Sequence, residues 1–334
     1  MKLQSQTLAK ILNGDNMQLM NTLFDILIIG SGPIGASTAY FLSTDSRAKN
    51  LRIGVVTKEP SDEEHTSTYK YAGGSILWTW PENPQMAEMT TETAGFVKEL
   101  IKKGIDLSAH EDNYLLLHWG MHLPSLNIRG GKLVDHLLDE AQKGGVELVR
   151  HFAVDAIDKT ADGYVVKSGD KSIAAKVVLV AVGAQLRQLV PDVPVEFKKR
   201  QLLVLDTPIT EHNRIPHTVV PFGEDDGLVF FFIKKINDRF KLLLGQEDVL
   251  EYSDAWEEED FYPTLVERGL HQSLPFLKDA KVEEVLWAFD YNKKIPYFHH
   301  DGAGLHAVVC GSAVRSSAYI GRTTADKLIN SIQK

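Results

Sequence analysis

The stretch Phe24-Asp25-Ile26-Leu27-Ile28-Ile29-Gly30-Ser31-Gly32-Pro33-Ile34-Gly35 decides the fold of this 334-residue chain. Its first half is a short apolar run of the kind carried by a strand buried on both faces. Its second half spaces glycines as a strand-to-helix turn requires. Gly30 permits the tight turn, Gly32 lets backbone approach a pyrophosphate, and Gly35 lets helix and strand pack closely. Ser31 and Ile34 fill the intervals, and Pro33 falls in the first helical turn, where its missing N–H costs nothing. Ala36 to Leu42 suits the helix, and Leu51 to Val56 supplies a second strand. Together these form one βαβ unit. In that context the glycine spacing signals phosphate binding at a helix N-terminus.

Such a unit ends its second strand with an acidic residue that bonds a ribose hydroxyl. That position holds Thr57 here, followed by Lys58 and Glu59. Two readings stand side by side. Either Thr57 makes a weaker bond with Lys58 over the adenosine, or the strand runs two residues longer and Glu59 serves.

Outward from this unit, helical spacing of apolar residues predicts a helix from about Gln85 to Lys103 and another from Lys132 to Lys143, stopped by Gly144-Gly145. Tyr114 to Leu117, Val146 to Val149 and Lys176 to Ala181 read as strands, with a hairpin around Ala161-Asp162-Gly163. Beyond Pro191 and Pro194 the chain turns β-rich at Gln201 to Leu205, Leu228 to Ile233 and Phe240 to Leu244. A helix near Asp260 to Gln272 follows, then a strand at Leu305 to Val309 and a closing helix at Tyr319 to Ile332. Residues 1–22 read as a polar leader. The α/β material at both ends brackets the β-rich part, so one domain is discontinuous in sequence.

Composition narrows the function classes. The net charge of −9 gives nucleic acid no broad cationic surface. The basic run Lys198-Lys199-Arg200 reads as a solvated turn. Cys310 is the only cysteine, which excludes an internal disulfide and a four-cysteine zinc site. No apolar run is long enough to span a bilayer, and the first residues lack a signal-peptide pattern, so a cytoplasmic protein is expected. His118 and His122 have a helical metal spacing, but Gly120 and Pro124 argue against a helix, and no metal is expected.

Further segments carry a family resemblance. His65-Thr66-Ser67-Thr68-Tyr69-Lys70-Tyr71-Ala72-Gly73-Gly74, the stretch Val146 to Ile157, Val178-Leu179-Val180-Ala181-Val182-Gly183-Ala184, and Gly304 to Gly311 with Ile320-Gly321-Arg322 occur in this order. In that order the chain resembles the amine-oxidising FAD family of glycine oxidase, sarcosine oxidase and D-amino acid oxidase, from Phe24 to Ile332. The resemblance implies a Rossmann-type α/β FAD-binding domain (α+β overall) with an inserted, mostly antiparallel substrate domain. The FAD domain would comprise residues 23–72, 128–190 and 300–334, and the substrate domain 73–127 and 191–299. It implies that Thr66, Ser67, Thr68, Ala72, Gly73 and Gly74 wrap the pyrophosphate and flavin edge. Val154 would lend backbone to the adenine, and Ala181, Gly183 and Ala184 would close on the cofactor. Gly311, Arg315, Ser317, Ala318, Tyr319 and Ile320 would meet the isoalloxazine ring. FAD is expected to be non-covalent, since no cysteine is available in the segment where sarcosine oxidases tether it.

The chain departs from these relatives where an arginine commonly clamps a substrate carboxylate. Phe289 or Asp290 occupies that position. A carboxylate beside Asp290 would be repelled and a cationic amine attracted. Arg315 could stabilise reduced flavin, grip a substrate anion or pair on the surface, and Tyr291 could face the flavin or pack in the core. Asp290, Tyr291 and Arg315 are therefore the catalytic candidates. The expected reaction moves a hydride from a C–H beside nitrogen of a small amine or amino-acid-like substrate to flavin N5, with O2 or an electron carrier as final acceptor. The alternatives are oxidation of a hydroxy acid or alcohol, and a FAD-binding partner subunit without its own catalysis.

Overall fold

In the computed structural model the described residues are 23–59, 76–77, 83–116, 121–208, 217–219, 232–236, 239–245, 281–291, 293, 295–311 and 313–333. The opening apolar run forms β1 (Leu23–Ile29), and the glycine turn delivers it into α1 (Pro33–Thr44). There follow β2 (Ile53–Val56), β3 (Ile76–Leu77), α2 (Pro84–Lys102), β4 (His110–Leu116), β5 (Met121–Asn127) and α3 (Gly130–Lys143). Next come β6 (Glu147–Val149), β7 (Ala156–Thr160), β8 (Gly163–Ser168), β9 (Lys171–Val180) and the short α4 (Leu186–Leu189). The remainder is β10 (Phe197–Pro208), β11 (His217–Val219), β12 (Phe232–Ile236), β13 (Arg239–Gly245) and β14 (Val282–Tyr291). It closes with β15 (Tyr297–His300), β16 (Leu305–Val309) and α5 (Ser317–Ile332).

The central sheet has the order β15-β16-β9-β1-β2-β6, with the β7–β8 hairpin joined to β9. The five strands from β16 to β6 run parallel. Their carboxyl ends therefore share one edge, and the order reverses direction between β1 and β9, which is where α/β sheets open a ligand crevice. Two apolar layers hold this sheet. Ile26 and Ile28 of β1 pack with Leu42 of α1 and Leu328 and Ile329 of α5, while Leu27 and Ile29 pack with Tyr164 and Val166 of β8. All four β1 side chains are essentially inaccessible to water, and burying each one contributes roughly 1.5–3 kcal/mol. This explains why Ile26 to Ile29 include no polar residue on either face.

A further apolar cluster joins Ala36 of α1 to Val97 and Leu100 of α2 and to Leu133, Val134, Leu137 and Leu138 of α3, so α2 and α3 flank the helical layer. At the crossing of α1 and α5, a Cβ on Gly321 would lie 2.5 Å from the Ser37 Cβ. Only glycine allows that approach.

Two smaller sheets complete the described part, β12-β13-β10-β14 and β11-β4-β5-β3. The first is antiparallel throughout. Within it the run 198–200 is strand paired with β14, not the solvated turn expected from its charges; Lys198 is opposite Asp290 and Arg200 opposite Ala288, and Arg200 is opposite Gly245 of β13 as well. A cationic run reads as a loop only while its partner strand, some ninety residues on, is invisible. The strand expected from Leu228 begins at Phe232, with 228–231 outside the described residues. The leader 1–22 and the helix near Asp260 to Gln272 also lie outside them.

The β15–β16 turn is tied to the hairpin layer by one carboxylate. Asp301 accepts from the Tyr164 hydroxyl at 2.6 Å and from the backbone N–H groups of Ala303, Gly304 and Leu305 at 2.8, 3.0 and 3.0 Å. Burial alone would raise its pKa, but these donors more than offset that and hold it down at about 2. A carboxyl whose folded-state pKa is depressed stabilises the fold above its unfolded pKa and loses that contribution as pH falls through the folded value. We therefore expect thermal unfolding to show a stability loss on the order of 2 kcal/mol between about pH 5 and pH 2. Asp301→Asn should be less stable at pH 7 and should lack this part of the acid dependence.

Candidate functional site

The site is built on the shared carboxyl edge of the parallel strands. Gly30 leaves β1 with φ of 102°, a conformation open to glycine. A Cβ there would lie 2.6 Å from the Ala181 carbonyl oxygen, and one on Gly35 would lie 1.9 Å from the Gly30 oxygen. The turn is thus pressed against the end of β9 on one side and against its own helix on the other. The Ala181 N–H donates to Ile29 and the Gly30 N–H to Val56, locking the ends of β9, β1 and β2 together.

α1 begins at Gly32 with no side-chain cap, and Pro33 is in its first turn. Ala36 donates back to Gly32 at 2.8 Å. The N–H groups of Ile34 and Gly35, which a helix cannot satisfy internally, are left for a ligand at the positive end of the helix. The N-terminus of α5, after Ser316, also has no side-chain cap. Both helices follow strands of the parallel set, so both bring positive dipole ends to the same edge.

Thr57 does not behave as a ribose ligand that is simply weaker than an acid. Its hydroxyl accepts from Ser31 at 2.9 Å and from the Glu59 N–H at 3.3 Å. It pins the glycine turn to the end of β2. The strand ends at Val56 and is not two residues longer. Its bonding nevertheless continues through Thr57, whose N–H donates to Val149 and whose carbonyl accepts from Phe152, both at 2.9 Å. This carries Lys58, which is exposed, and Glu59, which is buried, along the same edge. Val154 is half-buried against the hairpin-side core, near this group.

Beyond β9, Gly183 takes φ of 59° and opens a 3-10 turn with Ala184. Beyond β16, Gly311 donates to the Lys293 carbonyl at 3.0 Å, and a Cβ there would lie 2.5 Å from the Tyr291 carbonyl. The end of β14 is therefore held against this edge. Arg315 is only 3% exposed. This removes the surface-pairing alternative; the following residues Ser316, Ser317, Ala318 and Ile320 are buried as well, and Tyr319 is half-buried.

Tyr291 is packed in the apolar core, with its ring centroid 6.1 Å from that of Phe197. Burial raises its pKa, so it keeps its proton. Asp290 is its neighbour in β14, where its backbone is opposite Lys198. Thr66, Ser67, Thr68, Ala72, Gly73 and Gly74 lie outside the described residues, as does His118. No group of three or more potential metal ligands occurs among the described residues. Two features escaped the sequence reading: the Ser31–Thr57 bond, which needs the register of β1 and β2, and the Ser37–Gly321 contact, whose only signal is a small residue within each helix.

A parallel sheet with a glycine turn over its switch point and two helix N-termini at that edge defines a dinucleotide-binding fold. The cradle fits FAD: glycines stand where any side chain would collide, and unpartnered helix N–H groups stand where phosphate oxygens need donors. The family model described as "FAD dependent oxidoreductase" matches residues 25–127 and 117–327, and the chain belongs to that family. It is thus a FAD-dependent oxidoreductase. Glycine oxidase from Bacillus cereus ATCC 14579 shares the fold at a TM-score of 0.68 and 17% identity, over 93% of this chain and 96% of that one. Iminodiacetate oxidase from Chelativorans sp. BNC1 does so at 0.67 and 17%, over 91% and 95%. L-proline dehydrogenase from P. horikoshii does so at 0.67 and 12%, over 91% and 92%. No curated protein sequence matches the chain. No helix among the described residues is long and apolar enough to cross a membrane.

Gly35→Ala should abolish flavin retention, because its Cβ has no space beside the Gly30 carbonyl; the purified variant is expected to be colourless. Thr57→Val should keep the fold but strand the Ser31 hydroxyl. We expect a stability loss of about 1–3 kcal/mol in denaturant unfolding, with weaker FAD binding by titration.

Proposed function

We propose that this enzyme oxidises a small amine or amino-acid-like compound at a C–H beside nitrogen. Residues 23–72, 128–190 and 300–334 would hold FAD non-covalently, and residues 73–127 and 191–299 would shape the substrate side. The observation that carries this reading is the convergence of the glycine turn, the end of β9 and the Gly311–Tyr291 junction on one edge, in a chain of the FAD-dependent family. The substrates named for the three neighbours, glycine, iminodiacetate and proline, each carry a C–H beside an amine nitrogen.

When bound, FAD supplies the hydride acceptor at N5. The chain's own groups position the substrate, exclude water and handle charge. The N-terminus of α5, which has no side-chain cap, would favour negative charge on a bound flavin. Arg315, buried beside that helix start, favours an anion there, whether reduced flavin or a substrate carboxylate. An amine must be neutral to release hydride, and Asp290 is our choice for the proton, because Tyr291 is committed to the core. Ribose hydroxyls would be met by Glu59 or by the Thr57 hydroxyl, which accepts from Ser31 and the Glu59 N–H and keeps its own proton to donate. O2 or an electron carrier would be the final acceptor.

The purified protein should be yellow, and anaerobic addition of small secondary or primary amines should bleach it. Bleaching by 2-hydroxy acids but by no amine would overturn the reading. Asp290→Asn should retain FAD in full and slow anaerobic bleaching by roughly tenfold or more. Unchanged bleaching with unchanged pH dependence would remove Asp290 from the proton path.

A further inference from the structure

Asn127, the last residue of β5, is 1% exposed, and neither its side-chain oxygen nor its side-chain nitrogen has a hydrogen-bond partner among the described residues. A buried carboxamide with both ends unmet is expensive, and such a group in a native fold calls for a missing partner. Ser37, Thr90, Thr93 and Thr324 also bury an unpartnered hydroxyl. Each of those sits on a helix, where rotation about χ1 brings a hydroxyl toward the carbonyl one turn back. A strand offers an amide no such relief. Glu92 and Asp135 also bury a carboxylate oxygen without a hydrogen bond, but Glu92 faces Arg322 at 3.3 Å and Asp135 is not without a partner, so Asn127 is the outlier.

Its surroundings tie it to the cofactor. It stands three residues before α3, whose start lies at the carboxyl edge of the parallel strands because α3 leads into β6 of that set, and its neighbours Leu126 and Ile128 pack in the cluster that contains Ala36 and Val314. Alternation along the strand puts Asn127 on the opposite side from those two apolar residues, the same side as buried Ser125. Its backbone is paired with Ile76 of β3.

We infer that the Asn127 carboxamide binds the imide edge of the flavin ring. That edge presents a carbonyl acceptor, an N–H donor and a second carbonyl acceptor in a row. A carboxamide presents a donor beside an acceptor and so meets it with two parallel hydrogen bonds. The inference rests on the chain holding FAD, and it names a residue for the ring itself, not for the phosphates.

The test compares Asn127→Leu and Asn127→Asp with the wild type, each stripped of flavin and then titrated with FAD. Asn127→Leu removes an unmet polar group while keeping volume, so its apoprotein should melt no lower than wild-type apoprotein. Its FAD dissociation constant should rise roughly tenfold to a hundredfold, with a shifted visible flavin spectrum. Asn127→Asp, with the donor removed and a charge added, should bind no better than the leucine variant. An Asn127→Leu apoprotein that melts lower while FAD affinity and spectrum stay unchanged would mark a structural residue and overturn the inference. So would a raised KM for the amine with FAD affinity and spectrum intact, because the amide would then serve the substrate. Wild-type apoprotein that takes up no FAD would overturn the cofactor reading itself, a result distinct from both.

Discussion

The close approach of Gly30 to the Ala181 carbonyl is the contact on which the site depends. It joins the end of β1 to the end of β9 at the point where the strand order reverses, and it fixes where α1 starts. Because Gly35 is pressed against Gly30 in turn, the helix N-terminus cannot drift from the edge of the sheet. The Ser31–Thr57 bond extends the same lock to β2. No side chain of any size fits within this chain of backbone contacts, so its geometry is carried by the absence of side chains.

That absence is why the cofactor half of the fold was legible in the sequence. A doubly buried strand leaves an unbroken apolar run, and a backbone cradle leaves glycines at fixed spacing. Both are local marks, and β1, α1, β2, β9 and α5 fall where those marks predicted. Residues whose role depends on a partner far along the chain were less legible. Thr57 looked like a poor substitute for a ribose acid until the register of β1 with β2 placed Ser31 beside its hydroxyl. The run 198–200 looked solvated because β13 and β14, its partners, lie about forty and ninety residues away. Arg315 could be assigned three roles from sequence, and burial removes the surface one.

The same contrast explains why a cofactor is easier to infer than a substrate. Phosphates and a ring shared by a whole family are held by main chain and helix ends, which tolerate drift in side chains while glycines persist. Substrates are discriminated by a few side chains on strands that meet only in three dimensions. In this chain those strands converge on the edge through the Gly311 contact with Tyr291 and Lys293, so the end of β14 is the structural link between the two halves. Tyr291 anchors that link by packing into the core.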